Sequence, residues 1–176
     1  YWKLIKRKKL MFDIVRSRKE PDIITDFVAL GNLLNNTDSY HSAFIIKYNE
    51  ELYEFHYTSK IIVYSTITDD YYHKITDTIS SDEVPSFIAL CINIKKKANP
   101  EYGYFYSGES YDVNGNHLCQ NNLGERMTCV GFCLNVLTGF LEQDYLKYTD
   151  WSSQTHDNPG YLEAYCKENN IDPSKI

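Results

Sequence analysis

No stretch of this 176-residue chain is apolar for long enough to cross a bilayer as a helix, and no secretory signal is visible. Positive charge is also short. Lys and Arg number 18 against 24 Asp and Glu, for a net charge of −6 and a pI near 5.3. That balance argues against nucleic acid as the main partner, because phosphate binding needs a basic face. The five cysteines (Cys91, Cys119, Cys129, Cys133, Cys166) are odd in number and lack the dense spacing of a disulfide scaffold, so a mostly reduced protein is expected. There is no internal repeat or low-complexity block. No Gly-x-Ser-x-Gly elbow surrounds Ser107 or Ser110, and neither a phosphate-binding Gly-Lys-Ser/Thr loop nor a His-Glu-x-x-His pair occurs.

What remains is an ordinary globular composition, 43% hydrophobic and 24% charged, in a chain long enough for one well-filled core. Behind Tyr1-Trp2 lies a basic cluster of Lys3, Lys6, Arg7, Lys8 and Lys9. Residues 1–11 therefore read as a basic N-terminal segment: a solvated end, the edge of a removed anchor or leader that would place the protein beside a membrane, or a strip for an acidic partner. Residues 12–176 read as a single domain. The expected location is the cytoplasm, or the membrane or exterior after loss of a leader.

Along the domain, Phe12 to Arg16 reads as a short strand. Pro21 to about Asn35 reads as a helix, since Ile23, Ile24, Phe27, Leu30 and Leu34 recur at helical spacing. His41 to Tyr48 and Leu52 to Thr58 form a hairpin around Asn49-Glu50-Glu51, and Lys60 to Ile67 adds a strand. Ser81 to Lys97 reads as a helix with Pro85 in its first turn and Phe87, Leu90, Cys91 and Ile94 facing inward. Tyr102 to Tyr106 is a further short strand, Ser107 to Asn122 a loop with a tight turn at Asn114-Gly115, and Pro159 to about Asn169 a last helix. The sum is an α+β domain, an antiparallel sheet of about five strands packed against helices. The 16 tyrosines are read as half-buried strand residues with wet hydroxyls, or as the lining of a groove for a peptide, sugar or acyl chain.

The run Thr128-Cys129-Val130-Gly131-Phe132-Cys133-Leu134-Asn135-Val136-Leu137 reads as a helix opening on a cysteine. Thr128 is a good N-cap, Val130, Cys133, Leu134, Val136 and Leu137 form the buried face, and Gly139 is a stop signal. Cys129 falls at the first helical position, where free N–H groups and the helix dipole stabilise a thiolate and an oxyanion built on its acylated sulfur. Cys133 lies one turn below and is assigned to packing. His117-x-Cys119 with Cys129-x3-Cys133 has zinc-binding residue types but no common zinc spacing, and no metal is expected.

A thiolate nucleophile needs a base, and the base an orienting partner. His41 begins a strand and is followed by the small Ser42 and Ala43. Across the hairpin, Glu54 and His56 share a face. If Asn49-Glu50 is the turn, Tyr48 pairs with Glu51 and His41 lies opposite Thr58, which brings His56 nearer than Glu54. A turn at Glu50-Glu51 favours neither. His56 is thus the preferred orienting residue, with Glu54 in reserve. His73, His117 and His156 read as structural or surface residues.

These features, in this order, resemble a known group. Phe12-Asp13-Ile14-Val15 is similar to the Gly-Asp-Ile-hydrophobic opening strand of the circularly permuted papain-like enzymes of the NlpC superfamily. Tyr40-His41-Ser42-Ala43-Phe44-Ile45 is similar to their His-hydrophobic-Gly-Ile motif, and Tyr53-Glu54-Phe55-His56-Tyr57 to the strand that follows. Tyr111-Asp112 with Thr128-Cys129-Val130-Gly131-Phe132 resembles their Tyr-Asp and Cys-Ser-Glu-Leu region. The branch is the YiiX-like one, related to the lecithin:retinol acyltransferase group. Ala43 stands where those proteins carry glycine, and Gly131 where they often carry glutamate. The resemblance implies a permuted papain-like fold with Cys129 as nucleophile, His41 as general base and His56, or alternatively Glu54, as orienting residue. It implies attack on an amide or ester carbonyl through a thioester, with no metal or organic cofactor. Expected substrates are peptides or isopeptides, including peptidoglycan stem peptides. The alternatives are an acyltransferase or lipase using the same triad, or a non-catalytic binding module.

Overall fold

Asn49 and Glu50 both take left-handed backbone conformations, φ 50° and 67°, which suits the tight turns whose twist matches that of paired strands. They close a hairpin at the centre of an antiparallel sheet in a computed structural model of the chain. The structure describes residues 15–16, 25–34, 40–68, 70–104, 110–118, 124–143, 145–146, 159–168, 170 and 172. The expected basic cluster, Phe12 to Ile14, Cys119 and His156 lie outside them. The sheet contains β1 (Val15–Arg16), β2 (Phe27–Leu34), β3 (Tyr40–Tyr48), β4 (Glu51–Tyr57), β5 (Ile62–Thr66) and β6 (Asp70–Ile75), in the order β1-β6-β2-β3-β4-β5. Five of these are substantial strands and β1 is a two-residue addition at one edge, so the α+β reading holds.

Helix α1 (Val84–Lys97) follows, with Pro85 in its first turn and Lys95, Lys96 and Lys97 in its last, where cations complement the helix dipole. Beyond it come β7 (Glu101–Tyr102), β8 (Ser110–Tyr111), β9 (His117–Leu118), β10 (Arg126–Met127), α2 (Cys129–Leu141) and α3 (Pro159–Glu168). β7 pairs in parallel with β10, and β8 pairs with β9. The stretch expected as loop from Ser107 thus holds a small hairpin, and of the strand expected over Tyr102 to Tyr106 the described part, 102–104, is strand only at Tyr102, in the pair Glu101–Tyr102.

The largest correction concerns residues 21–35, expected as a helix. Their described part is β2, which pairs with β3 on one side and β6 on the other. Strand side chains alternate between faces. Val28 joins Phe44, Ile46, Phe55 and Tyr57 in the core beneath α1 and α2, while Phe27, Ala29 and Leu33 join Ala43, Ile45 and Tyr71 on the opposite face. A central strand buried on both faces loses its alternation and reads as a continuous apolar run. Gly31 fits this placement, because a Cβ there would lie 2.6 Å from Ile45 Cγ1 and 2.9 Å from the Tyr72 carbonyl.

Aromatic packing fixes α2 against the sheet. Phe132, in its first turn, lies 5.3 Å from Phe55, 6.0 Å from Tyr57 and 5.8 Å from Tyr111, ring centroid to ring centroid. Two of those rings are anchored in turn, as Tyr57 Oη donates to the Pro100 carbonyl at 2.9 Å and Tyr111 Oη to Glu125 Oε1 at 2.6 Å. Gly139 does not stop the helix, which runs to Leu141 and ends on Glu142 with φ 53°. Its role is proximity: a Cβ on Gly139 would come 2.1 Å from the Tyr111 carbonyl oxygen. Gly139→Ala is therefore expected to destabilise the protein by about 1–3 kcal/mol through overpacking. Glycine-to-alanine changes in a helix interior otherwise gain about 1 kcal/mol. A urea titration reads the sign, and a stabilised variant would refute the contact.

Candidate active site

Cys129 reaches its position through local sequence. Thr128 is extended (φ −83°, ψ 174°) and its Oγ1 accepts from the Gly131 N–H at 3.1 Å, while its carbonyl accepts from the Phe132 N–H at 2.9 Å. That is an N-cap with one orphan donor satisfied. These bonds do not use the amides of Cys129 and Val130, the first two of the helix. Cys129 is half-buried, whereas Cys91, Cys133 and Cys166 are buried.

The helix end meets the sheet where β3 and β4 part. β3 stays paired with β2 as far as Leu34↔Tyr40, but its ladder with β4 ends at Phe44↔Phe55 although both strands continue. The turn is the one that pairs Tyr48 with Glu51, while the expected pair of His41 with Thr58 is not among its rungs. Into the gap comes the Cys129 sulfur. A hydrogen bond with the His41 side chain draws its thiol down to about 7, against the opposing effect of burial, and the Ser42 N–H, the charge of His41 and the Ser42 hydroxyl add to the lowering. One turn deeper, burial and the neighbouring Cys129 push the Cys133 thiol far up, and burial does the same to Cys91. Among the described residues Cys129 is the cysteine whose surroundings favour a thiolate.

Behind His41 stands His56, its ring centroid 4.7 Å away at 71°, an edge contact. His56 Nε2 lies 3.8 Å from Glu54 Oε2, an ion-pair distance and longer than a formed hydrogen bond. Glu54 pairs across to Ser65 on β5, whose Oγ donates to Glu54 Oε1 at 2.8 Å. Burial pushes the Glu54 carboxyl up, but the close His56 imidazole, the hydrogen bond from Ser65 and the nearby His41 ring outweigh it, so it titrates below its ordinary value. Glu54 is 9% exposed and His56 7%. The sequence offers the two as alternatives, and the structure puts them in series: Cys129, His41, His56, Glu54, Ser65.

Two contributors went unread. Ser42 appears in the sequence as a small neighbour, yet its N–H and hydroxyl both reach the sulfur. Ser65 has no signal until the pairing of β5 with β4 is known. His73 and His117 are ring-packed, His73 stacked on Phe27 at 5.8 Å and His117 against Tyr111 at 5.1 Å. No group of three or more His, Cys, Asp or Glu side chains among the described residues is arranged to hold a metal ion.

A cavity of about 300 Å³ opens between α2 and strands β2 and β6, lined by Leu30, Asn32, Lys74, Val130, Cys133 and Leu134 among others; Cys129 and His41 do not line it, and it approaches them through Val130 and Ser42. Val130, expected in the core, is 51% exposed and faces this cavity. The reason is position: it sits at the second residue of α2, beyond the rings that cover Phe132. No family model matches the chain, and no curated protein or solved structure does either.

Proposed function

We propose that the protein is a cysteine-nucleophile hydrolase of amide bonds, peptide or isopeptide, on the permuted papain-like fold. The observation that carries this reading is the contact of the helix-opening Cys129 with His41, which holds the thiol at about 7. The order of base, orienting residue and nucleophile along the chain supports the permuted arrangement. A binding module would have no use for a thiol poised beside an imidazole.

The reaction follows from these groups. Cys129 gives its proton to His41 and attacks the substrate carbonyl carbon, forming the S–C bond and an oxyanion near the α2 N-terminus. Collapse breaks the C–N bond, and the leaving amine takes the proton from His41. Water, deprotonated by His41, then attacks the thioester and restores the thiol. Ser42 steadies the thiolate by its N–H.

The cavity bears on the substrate. Asn32 and Lys74 supply polar groups that a peptide would use, which suits an amide such as a peptidoglycan stem peptide. Leu30, Val130 and Leu134 favour a second reading, an acyltransferase or lipase that resolves an acyl thioester with an amine or alcohol. Peptidyl coumarin amides and nitrophenyl esters of graded chain length, each quenched in acid and examined by intact mass, separate the two. Turnover is expected with an acyl adduct on Cys129 and with neither in Cys129→Ala. Undiminished turnover in that variant would end the proposal.

A further inference from the structure

We propose that Glu54 is a positioning residue of this site, setting through His56 which ring nitrogen of His41 carries a proton. The inference rests on the reading of Cys129 and His41 as nucleophile and base. An ionised carboxylate only accepts hydrogen bonds, so His56 can bond to the facing Glu54 Oε2, 3.8 Å away, only with its hydrogen on Nε2. In a neutral imidazole that leaves Nδ1 as the acceptor. His56 Nδ1 is buried with no hydrogen-bond partner, and so is His41 Nε2. These two rings are the pair in edge contact at 4.7 Å. A bond between them is not formed in this geometry, but the two orphans belong to rings already in contact, and a small ring rotation bringing His41 Nε2–H onto His56 Nδ1 would satisfy both.

The consequence reaches the nucleophile. With its hydrogen on Nε2, His41 presents the Nδ1 lone pair to the Cys129 thiol, the protonation state a general base needs. After proton transfer the imidazolium lies one ring away from the buried carboxylate, where charges interact more strongly than in water. Ser65 holds Glu54 from the far side at 2.8 Å. The titratable groups bearing on Glu54 are His56 on its own strand and His41 on β3, and His41 in turn meets Cys129 on α2. β5 contributes the neutral Ser65. An amide in place of the carboxylate could donate to His56 Nε2 and invert every hydrogen in the series.

The experiment is the rate of Cys129 alkylation by iodoacetamide, followed from about pH 5 to about pH 10 by peptide mapping, which needs no substrate. The wild-type midpoint is expected at about 7. Glu54→Gln should raise it by about one unit or more, and Ser65→Ala should raise it less, because one of two supports remains. A folded Glu54→Gln protein with the wild-type midpoint overturns the proposal. If that variant does not fold, imidazole nitrogen shifts of the wild-type protein decide the matter. Hydrogen on His56 Nε2 supports the proposal, and hydrogen on Nδ1 overturns it. His41→Ala separates the two layers. If its midpoint stays at the wild-type value, the nucleophile–base reading itself fails. If it rises while that of Glu54→Gln does not, only the role of Glu54 falls.

Discussion

His41→Ala is expected to lower turnover by about a thousandfold or more on any substrate that acylates Cys129, with little change in KM. The size follows from two losses at once. The base that accepts the thiol proton disappears, and so does the chief cause of the low thiol pKa. A thiol near 7 is about half ionised at neutral pH, whereas an ordinary cysteine is ionised to a few per cent. The sign of the pH dependence is fixed by the same shift. Because the thiol is lowered, wild-type activity should rise through about pH 7 on the acid side, while residual activity in the variant should rise only at higher pH. Steady-state kinetics across pH test this. Activity within about tenfold of wild type would mean that another group takes the proton.

His56→Ala should cost less, about ten- to a hundredfold in kcat, since the nucleophile, its base and the helix amides all remain. It should also leave a trace in stability. The change strips Glu54 of its imidazole partner and leaves a buried carboxylate held by Ser65 alone, a loss of about 1–3 kcal/mol at neutral pH. In the wild-type protein the Glu54 carboxyl is lowered, so its contribution is present above its ordinary range near 4.3 and is lost as the pH falls through the folded value. The stability gap between wild type and variant should therefore narrow in acid. Urea titrations at neutral and acid pH measure it, and a gap that stays constant would show that the carboxylate is not what His56 supports.

The parts of this molecule that the sequence makes legible are those written in neighbouring residues. Thr128 ahead of Cys129 and Pro85 ahead of an apolar stripe act within a few positions of themselves and stand where expected, and of the two turns left open at Asn49-Glu50-Glu51 the structure has the first. β2 reads as a helix because Phe27, Leu30 and Leu34 share a helical interval, while the partners that make it a strand arrive from β3 and β6, the latter some forty residues on. Gly139 has the same history: the atom that demands a glycine is a carbonyl on β8, not anything in its own helix. The choice between Glu54 and His56 was undecidable for a related reason. Residues two apart on one strand share a face, and only the separation of β3 from β4 shows that one stands behind the other.

The two-residue turn at Asn49-Glu50 has a consequence for how the gene can change. It sets the parity of β4, with Phe55 and Tyr57 toward the helices and Glu54 and His56 away from that core. A slip of β4 by one residue against β3 would exchange the two sets, turning a glutamate and a histidine into the hydrophobic layer and two aromatic rings out of it. A slip of two residues would preserve the parity. Length variation at this loop is thus tolerated only where the turn absorbs it without moving that register, even though the loop itself touches nothing in the site.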